Sequence, residues 1–425
     1  MSERLGLLIV AVLASAVPAR AQALRVAADG PYATVGEALA AAGPGDTVRV
    51  AAGVYRERVR VGKAVTLIGE GWPVIDAGGH GHVVEATAPI ELRGFVLRGS
   101  GTSVQAEDAG VMVVGASAKV VGNLLEDVLY GVYLKQAPGS LVAGNRIRGK
   151  PLAAPRRGDG IRLWYSPGCR VWGNEVRGTR DVVLYFSDRL VLEKNVIADG
   201  RYGLHTMYSD HSRIAGNRLS GNQVGAFLMY SRDIELEDNV IADAEGPSGM
   251  GLGLKDSDDV TVRGNLFLEN SIGVHLDNSP RSRDRLNVFE GNTFALNGAA
   301  VRMMPSVTGN RFRGNDFLAN EVPARVSGGA RGGQVDQNDW SGNHWSDYTG
   351  FDQDGDGIGD IPYVHAHLAA ELLERHPALR IFALSPALGA LDTLARLLPL
   401  LRPAPVVADP SPRLARLAAP RWRER

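Results

Sequence analysis

The stretch Gly173-Asn174-Glu175-Val176 is one copy of a short motif, Gly-Asn-x-apolar, whose recurrence decides the fold of this chain. From Asn174 the next asparagines of the series follow after 21, 22 and 22 residues, and the other gaps run from 22 to 29 residues. A repeat period in this range is typical of a solenoid. Full copies of the motif begin at Gly144, Gly173, Gly216, Gly264, Gly291, Gly314 and Gly342, and weaker copies contain Asn123, Asn195 and Asn239.

The residues around each motif alternate between apolar and polar, which is the pattern of a β-strand. Another alternating stretch in each repeat usually opens with glycine, as in Gly203-Leu-His-Thr-Met207. Three short strands and three turns in about 22 residues describe one coil of a parallel β-helix. Unrelated Asn-Gly hairpins are the alternative, but hairpins would not keep the same inward columns through successive repeats.

We therefore predict an all-β solenoid of about ten coils between residues 46 and 345, with asparagine amides that bond from coil to coil. Adjacent coils should stack about 4.8 Å apart. The predicted inward columns are Leu204, Ala226, Leu252 and Val274, and next to them Thr206, Leu228, Leu254 and Leu276.

Residues 1–21 have the features of a secretory signal peptide, with Arg4, a short apolar run and a cleavage site at Ala19-Arg20-Ala21. The apolar run is too short to span a membrane, so we expect the mature protein to be exported. The net charge of −1 gives no electrostatic footprint for nucleic acid. The single cysteine, Cys169, excludes an internal disulfide and is expected in the core.

Residues 22–45 are expected to cap the N-terminal end of the solenoid. Thr34 and Glu37 have the spacing of a capping box, and Gly43-Pro44 would end the short helix that follows. Such a helix would cover the strand edges of the first coil, which are otherwise open to pairing with another chain.

An acidic loop within residues 346–363 follows the last repeat. Its carboxylates stand at alternate positions with glycines between them, which is the spacing of a calcium loop. We predict a structural Ca²⁺ there, although Tyr363 stands where an EF-hand has its bidentate glutamate; a solvated acidic turn is the alternative. The predicted ligands are Asp352, Asp354, Asp356, the carbonyl of Ile358, and Asp360.

Residues 364–425 are predicted to be a helical, Pro- and Arg-rich tail that docks on a partner. Ser385-Pro386 begins a helix whose apolar side needs a surface to cover it, either a partner or the coils themselves. The segment from Arg402 onward is expected to be extended and ordered on binding. The partner-docking residues are predicted to be Leu388, Leu391, Leu394 and Leu398.

Three further motifs stand out beside the signal peptide and the asparagine repeat: Leu228-Met-Tyr-Ser231, Gly253-Leu-Lys-Asp-Ser257 and Trp345-Ser-Asp-Tyr348. Together these features resemble the NosD family of periplasmic proteins, which are needed to mature nitrous oxide reductase. The resemblance covers nearly all of the mature chain. It implies a right-handed, pectate-lyase-like parallel β-helix. It also implies a non-catalytic ABC transporter subunit in the periplasm, membrane-associated through its partners.

The same resemblance implies the partners and the cargo. They are the membrane subunit of the ABC transporter, its cytoplasmic ATPase, a membrane-anchored copper chaperone, and the reductase whose copper clusters are loaded. Within the repeat, outward positions on the glycine-led strands place soft ligands on adjacent coils, and thioethers prefer Cu(I). The residues predicted to bind Cu(I) transiently are His205, Met207 and Met229, with Met250 as a fourth. An exposed protein-contact patch is the alternative for the same side chains.

A carbohydrate-active enzyme, either a polysaccharide lyase or an epimerase, is the alternative function, because those enzymes share the β-helix. Such an enzyme needs a base and a charge neutraliser on an exposed strand. Lys255, His275 and Asp277 are outward residues on neighbouring coils that could provide them. Because the outward face has few further carboxylates and is rich in methionine, we expect the protein not to be an enzyme.

Overall fold

The computed structural model describes residues 22–328, 337–366, 368–382, 385–398 and 404–417. The predicted signal peptide, residues 1–21, lies outside the described residues. Among the residues described, none of the helices has the length and apolar character needed to cross a membrane.

The chain winds as a parallel β-helix in which each coil contributes one short strand to each of three sheets. Over the described residues, sheet 1 has 14 strands, sheet 2 has 13 and sheet 3 has 12. The strands of sheet 1 are Ala23–Val26, Thr47–Ala51, Val65–Glu70, Ile90–Arg93, Ala118–Val121, Leu141–Ala143, Arg170–Trp172, Val191–Glu193, Ser212–Ala215, Arg232–Glu237, Asp258–Arg263, Asn287–Glu290, Asn310–Arg313 and Asp339–Ser341.

From Thr47–Ala51 to Asn310–Arg313, each strand of sheet 1 is followed along the chain by a strand of sheet 2 and then by a strand of sheet 3. The strands of sheet 2 are Val54–Tyr55, Val74–Asp76, Val96–Arg98, Leu124–Val128, Arg146–Gly149, Glu175–Arg177, Val196–Ala198, Arg218–Ser220, Val240–Ala242, Leu266–Leu268, Thr293–Ala295, Asp316–Leu318 and His344–Trp345. The strands of sheet 3 are Val59–Val61, Val84–Ala86, Ala109–Val114, Tyr130–Lys135, Ile161–Trp164, Asp181–Tyr185, Tyr202–Met207, Val224–Met229, Met250–Lys255, Ile272–Asp277, Ala299–Met303 and Val322–Val326.

The fold class is confirmed, but the solenoid is longer than the ten coils expected. Sheet 2 alone has 13 strands in the described residues, and the first strand of sheet 1, Ala23–Val26, lies within the segment expected to form only a cap. The motif count was low because the coils before Asn123 lack the Gly-Asn signature and are built on valine alternation instead.

The inward register agrees with the predicted columns. Leu204 aligns with Ala226, Ala226 with Leu252, and Leu252 with Val274. The adjacent column from Thr206 to Leu276 is aligned in the same way, and all of these side chains are buried. Cys169 is also buried, and burial raises the pKa of its thiol to about 11, as expected for a core residue.

The asparagines form a continuous hydrogen-bonded ladder. The Oδ1 of Asn195 accepts both the backbone N–H and the side-chain amide of Asn174, each at 3.0 Å. The Nδ2 of each asparagine also donates to a backbone carbonyl, such as that of Val142 for Asn174. Backbone N–H and C=O groups of a buried turn cost about 1–3 kcal/mol each if they make no hydrogen bond. The asparagine amide accepts from an N–H group and donates to a carbonyl, which explains why asparagine recurs at this turn. The ladder runs through Asn123, Asn145, Asn174, Asn195, Asn217, Asn239, Asn265, Asn292, Asn315 and Asn343.

Helix α1, Val35–Ala41, covers the N-terminal end of the solenoid. Thr34 and Glu37 form the predicted capping box, in which the Thr34 hydroxyl accepts the N–H of Glu37 and the Glu37 carboxylate accepts the N–H of Thr34. The carboxylate of Glu57 accepts the N–H groups of Val35 and Gly36. The first turn of the helix is therefore anchored to the coil below it.

The C-terminal region folds back onto the last coil. Helices α2, Leu368–Arg375, and α3, Pro386–Leu397, pack against each other. A strand at Val407–Asp409 then pairs antiparallel with Tyr363–His365. The expectation that the tail becomes ordered only on binding is wrong for residues 404–417, because these residues are packed and hydrogen-bonded against the final coil.

Candidate functional site

The outward face of sheet 3 brings a histidine and a thioether together. His205 and Met229 lie on adjacent coils, and Nε2 of His205 is 3.4 Å from Sδ of Met229. His205 aligns with Phe227, while Met207 aligns with Met229, so the predicted placement of the two methionines on adjacent coils is correct. We refer to the side chains of His205 and Met229, which are in contact, as the His205–Met229 pair.

His205 is held in an apolar and aromatic setting. Its side chain is only 7% exposed, and this burial lowers its pKa to about 4. The imidazole is therefore neutral at neutral pH, as a metal ligand must be. The hydroxyl of Tyr185 lies 2.9 Å from Nδ1, and the rings of Tyr202 and Phe227 lie 4.6 and 6.0 Å from the imidazole ring.

The other two predicted copper ligands are placed differently. Met207 is half-buried and occupies the column of Met229, one coil earlier. Met250 lies in another column, aligned with Val224 and Ile272, and its Sδ is close to the backbone at Gly253. The structure thus joins His205 to Met229, keeps Met207 next to them, and sets Met250 apart.

Sequence reasoning missed a second feature of this face, a row of aromatic residues immediately after the strands. The rings are stacked at centroid distances of 4.8, 5.4 and 5.1 Å, with interplanar angles of 13° or less. The signal was present as an aromatic residue before the turn serine in four successive repeats, as in Tyr208-Ser209. The members, which we call the aromatic row, are Tyr165, Phe186, Tyr208 and Tyr230.

All four residues of the aromatic row have a left-handed backbone, with φ between 48° and 53°. A bulky L-residue pays about 1–2 kcal/mol for this conformation. The equivalent positions in flanking coils hold Gln136, Asp256 and Asn278, which are polar. Asparagine and aspartate adopt this conformation more readily, so the aromatic side chains are not there for the sake of the turn.

A buried network of charges borders the face on its N-terminal side. The carboxylate of Asp159 accepts N–H groups from Arg162 and Arg180, while that of Asp181 accepts N–H groups from Arg201. Both carboxylates are almost completely buried. Breaking one partner of such a buried pair is costly, so this network fixes the strands that lead into the His205–Met229 pair.

The residues considered for carbohydrate chemistry lie farther along the same face. The ammonium of Lys255 is 2.8 Å from the carboxylate of Asp277, and this hydrogen bond raises the pKa of Lys255. Burial lowers the pKa of His275. Lys255 and Asp277 are thus engaged with each other, and a lysine with a raised pKa is a poor general base.

The acidic loop brings together three of its four predicted carboxylates. Oxygens of Asp352, Asp354 and Asp356 all lie within 4.8 Å of one another, a spacing that could hold a metal ion. Asp360 is not part of this group, and its carboxylate accepts the N–H of Gln353 at 2.7 Å. The backbone of Ile358 is paired with that of Arg413 in the tail.

The predicted leucine surface is divided between two environments. Leu388 is buried and Leu391 is half-buried where α3 packs on α2. Leu394 and Leu398 are exposed, together with Leu397, which was not predicted. Helical periodicity explains this division, because the leucines are spread around too much of the circumference of α3 for one neighbouring helix to cover them all.

Comparison with known proteins identifies the family of this chain. Residues 143–350 match the sequence model of a family described as "Periplasmic copper-binding protein (NosD)". Over 424 residues, the chain is 30% identical to a protein of Pseudomonas aeruginosa named "Probable ABC transporter binding protein NosD", covering 87% of this chain and 88% of that relative. The chain belongs to the NosD family. The resemblance inferred from its motifs is therefore confirmed.

A second NosD relative, from Stutzerimonas stutzeri, carries the same name and is 28% identical over 409 residues, with 86% of each chain covered. Among solved structures, the mannuronan C-5 epimerase AlgE4 A-module of Azotobacter vinelandii superimposes with a TM-score of 0.53. That likeness covers 66% of this chain and 89% of the A-module at 16% identity. It relates this NosD-family chain to pectate-lyase-like β-helices by fold alone.

Proposed function

We propose that this NosD-family protein is a periplasmic, non-enzymatic subunit of an ABC transporter complex and that it assists copper delivery to nitrous oxide reductase. The description of the family as periplasmic and copper-binding, and the names of the two relatives, support this proposal. The partners we propose are the membrane subunit and its cytoplasmic ATPase, a membrane-anchored copper chaperone, and the reductase.

The observation that carries the proposal is the 3.4 Å approach of His205 Nε2 to Met229 Sδ. A neutral imidazole and a thioether are ligands that suit Cu(I). If Nδ1–H donates to the Tyr185 hydroxyl, the lone pair of Nε2 points toward the ion site, which is the usual role of an outer partner of a histidine ligand. Two protein ligands hold the ion weakly, and Met207 on the adjacent strand can add a third.

Weak binding is what a transfer site needs, because the ion must leave again. Ligand exchange can proceed from the outward side, where Met229 is half-buried, whereas the inward side of the strand is closed core. Met250 lies in a different column and is not needed for this two- or three-ligand arrangement.

The test is the Cu(I) affinity of the mature protein, measured by competition with a chromophoric Cu(I) chelator. Met229→Leu keeps the volume but removes the thioether, and we expect it to weaken Cu(I) binding at least about tenfold, equivalent to 1.4 kcal/mol. Met112→Leu, a buried methionine at an outward position on an earlier coil, is the matched control and should not change affinity. Equal Cu(I) affinity of the parent and Met229→Leu would contradict the proposal.

We further propose that the acidic loop holds a structural Ca²⁺ through Asp352, Asp354 and Asp356, and that the exposed leucines of α3 contact the membrane subunit. The grouping of three carboxylates supports the first proposal. The exposure of Leu394, Leu397 and Leu398 supports the second, because apolar side chains clustered in solvent mark contact surfaces.

For the alternative of a carbohydrate-active enzyme, the fold likeness carries no weight, since one fold hosts many functions. Lys255 and Asp277 are engaged with each other, so neither is free to act on a substrate. We therefore propose no catalytic residue for this chain.

A further inference from the structure

The aromatic row keeps an unfavourable backbone conformation in four successive coils. Bulky residues in the left-handed region are outliers that persist where the structure or the function requires them. At the equivalent turn position, the coil before the aromatic row has Gln136, and the two coils after it have Asp256 and Asn278. The turn itself therefore does not require a ring, and the side chains of these four coils call for another reason.

The packing of the rings limits what they can bind. Each ring covers the face of the next, with interplanar angles of 8°, 9° and 13°. Sugars stack on the faces of aromatic rings, and here only the outer faces of Tyr165 and Tyr230 are left. The edges of the rings point to solvent instead, with Tyr165 49% and Tyr208 47% exposed. A stacked row with exposed edges suits a broad protein surface better than a glycan.

On its strand side the surface next to the row is uncharged, whereas the turn on the other side carries Asp188, Asp210 and Arg232. The adjoining outward column contributes Trp164, Tyr185, Met207 and Met229 over the same four coils. Within that column the first charged side chains are Lys135 on one side and Lys255 on the other. The part of a partner that covers the strand side must be apolar, because a charged surface there would lose its solvation without gaining a counter-charge.

The aromatic row also adjoins the His205–Met229 pair directly. Tyr230 is the residue after Met229, and Phe186 is the residue after Tyr185, whose hydroxyl contacts His205. Because the inward side of these strands is closed core, a protein that gives up or takes the ion approaches on the outward face, where the row adjoins the pair.

We propose that the aromatic row is the docking surface for a protein that carries Cu(I) to the His205–Met229 pair, with an apolar surface around its own metal site. This inference rests on the proposed function and adds to it the place where the carrier binds. The row holds the carrier in position, and it supplies no ligand to the ion.

The test replaces Tyr208 and Tyr230 with asparagine in the mature full-length protein. Asparagine accepts the left-handed backbone, so the double variant should fold with a melting temperature within about 2 °C of the parent's. Trp72→Asn is the matched control, since Trp72 is also an exposed aromatic residue with a left-handed backbone, φ 58°, but lies on a distant turn. Binding is measured to the soluble domain of the copper chaperone, both Cu(I)-loaded and metal-free.

We expect the double variant to bind the loaded chaperone at least tenfold more weakly, Trp72→Asn to bind it as the parent does, and the Cu(I) affinity of the isolated double variant to be unchanged. Parent-like chaperone binding by the double variant would overturn the proposal. So would a large loss of melting temperature, which would assign the row to stability. Loss of binding to phosphatidylglycerol vesicles, with chaperone binding retained, would also overturn it, by assigning the row to lipid.

The two proposals can fail separately. If the parent binds no Cu(I) in the chelator competition, the proposed function fails. Binding of the metal-free chaperone, compared between the parent and the double variant, then still decides whether a carrier docks on the row. If the double variant binds the metal-free chaperone as the parent does, this inference is overturned as well.

Discussion

Asp409 acts as the last rung of the asparagine ladder, although it lies in the tail. One of its carboxylate oxygens accepts the backbone and side-chain N–H groups of Asn343 and the indole N–H of Trp345, at 2.9, 3.0 and 3.1 Å. The other oxygen accepts the N–H groups of Gly342 and Ser411. The side-chain amide of an asparagine donates to the next coil, but no further coil follows in the described residues. A carboxylate, which only accepts hydrogen bonds, therefore suits the last position of the ladder better.

Asp409→Ala should remove this acceptor and leave the donors of Asn343 and Trp345 unpaired in a buried site. We expect the free energy of unfolding of the C-terminal end to fall by about 2–4 kcal/mol, with Asp409→Asn falling less because it keeps one acceptor oxygen. Hydrogen exchange of residues 404–417 and urea denaturation measure the effect. Asp284→Ala, at a side chain that is 83% exposed, is the control and should have almost no effect. If Asp409→Ala matched that control, the rung would have no energetic role.

At the scale of elements, the acidic loop and the tail form one piece. The N–H of Gly359 donates to the carbonyl of Pro412, and the N–H of Leu414 donates to the carbonyl of Gly357. The same tail segment leads back to Asp409 in the ladder. An ion bound in the loop would therefore stabilise the closure of the last coil, beyond its effect on the loop itself.

Chelation of Ca²⁺ should lower the melting temperature of the mature protein, because like-charged carboxylates in the loop would be left without a counter-charge. Asp352→Asn combined with Asp354→Asn should abolish that difference. Asp360→Asn is the matched variant, since Asp360 lies outside the carboxylate group, and it should keep the dependence on Ca²⁺. Elemental analysis that finds no metal, with identical melting curves with and without chelator, would refute the calcium proposal.

At the scale of the whole molecule, the solenoid separates two surfaces along its axis. The strand Val224–Met229 lies four coils before Val322–Val326, the last strand of sheet 3 in the described residues. At about 4.8 Å per coil this is a separation of about 19 Å. Helix α2 packs near that last strand and carries α3 with its exposed leucines. The proposed copper site and the proposed docking surface for the transporter therefore lie on different parts of the molecule.

Removing the tail would not test the docking of α3, because it would also remove Asp409 from the ladder. Leu394→Gln with Leu397→Gln changes only exposed side chains, 44% and 71% exposed, to a residue with good helix propensity. We expect unchanged melting but loss of co-purification with the membrane subunit from solubilised membranes. Ile361→Gln, at an exposed apolar side chain of the acidic loop, is the control and should co-purify. Full co-purification of the double leucine variant would place the main contact on the solenoid.

Much of the fold was predictable because a solenoid is a local structure. The Gly-Asn period sets the length of a coil, and strand alternation then assigns inward and outward columns one repeat at a time. The column of Met207 and Met229 followed from that register without any tertiary information. The early coils were undercounted because their strands carry no asparagine.

What the sequence determined by itself was the repeat, the register and the residue types on each face, since these depend on neighbours about 22 residues away. The tertiary structure alone decided which ligand His205 meets, how far Asp360 stands from the other carboxylates, and that Asp409 ends a ladder begun at Asn123. It also decided that four rings stack in left-handed turns. Those outcomes depend on side-chain rotamers and on contacts between distant segments, which a repeat pattern does not encode.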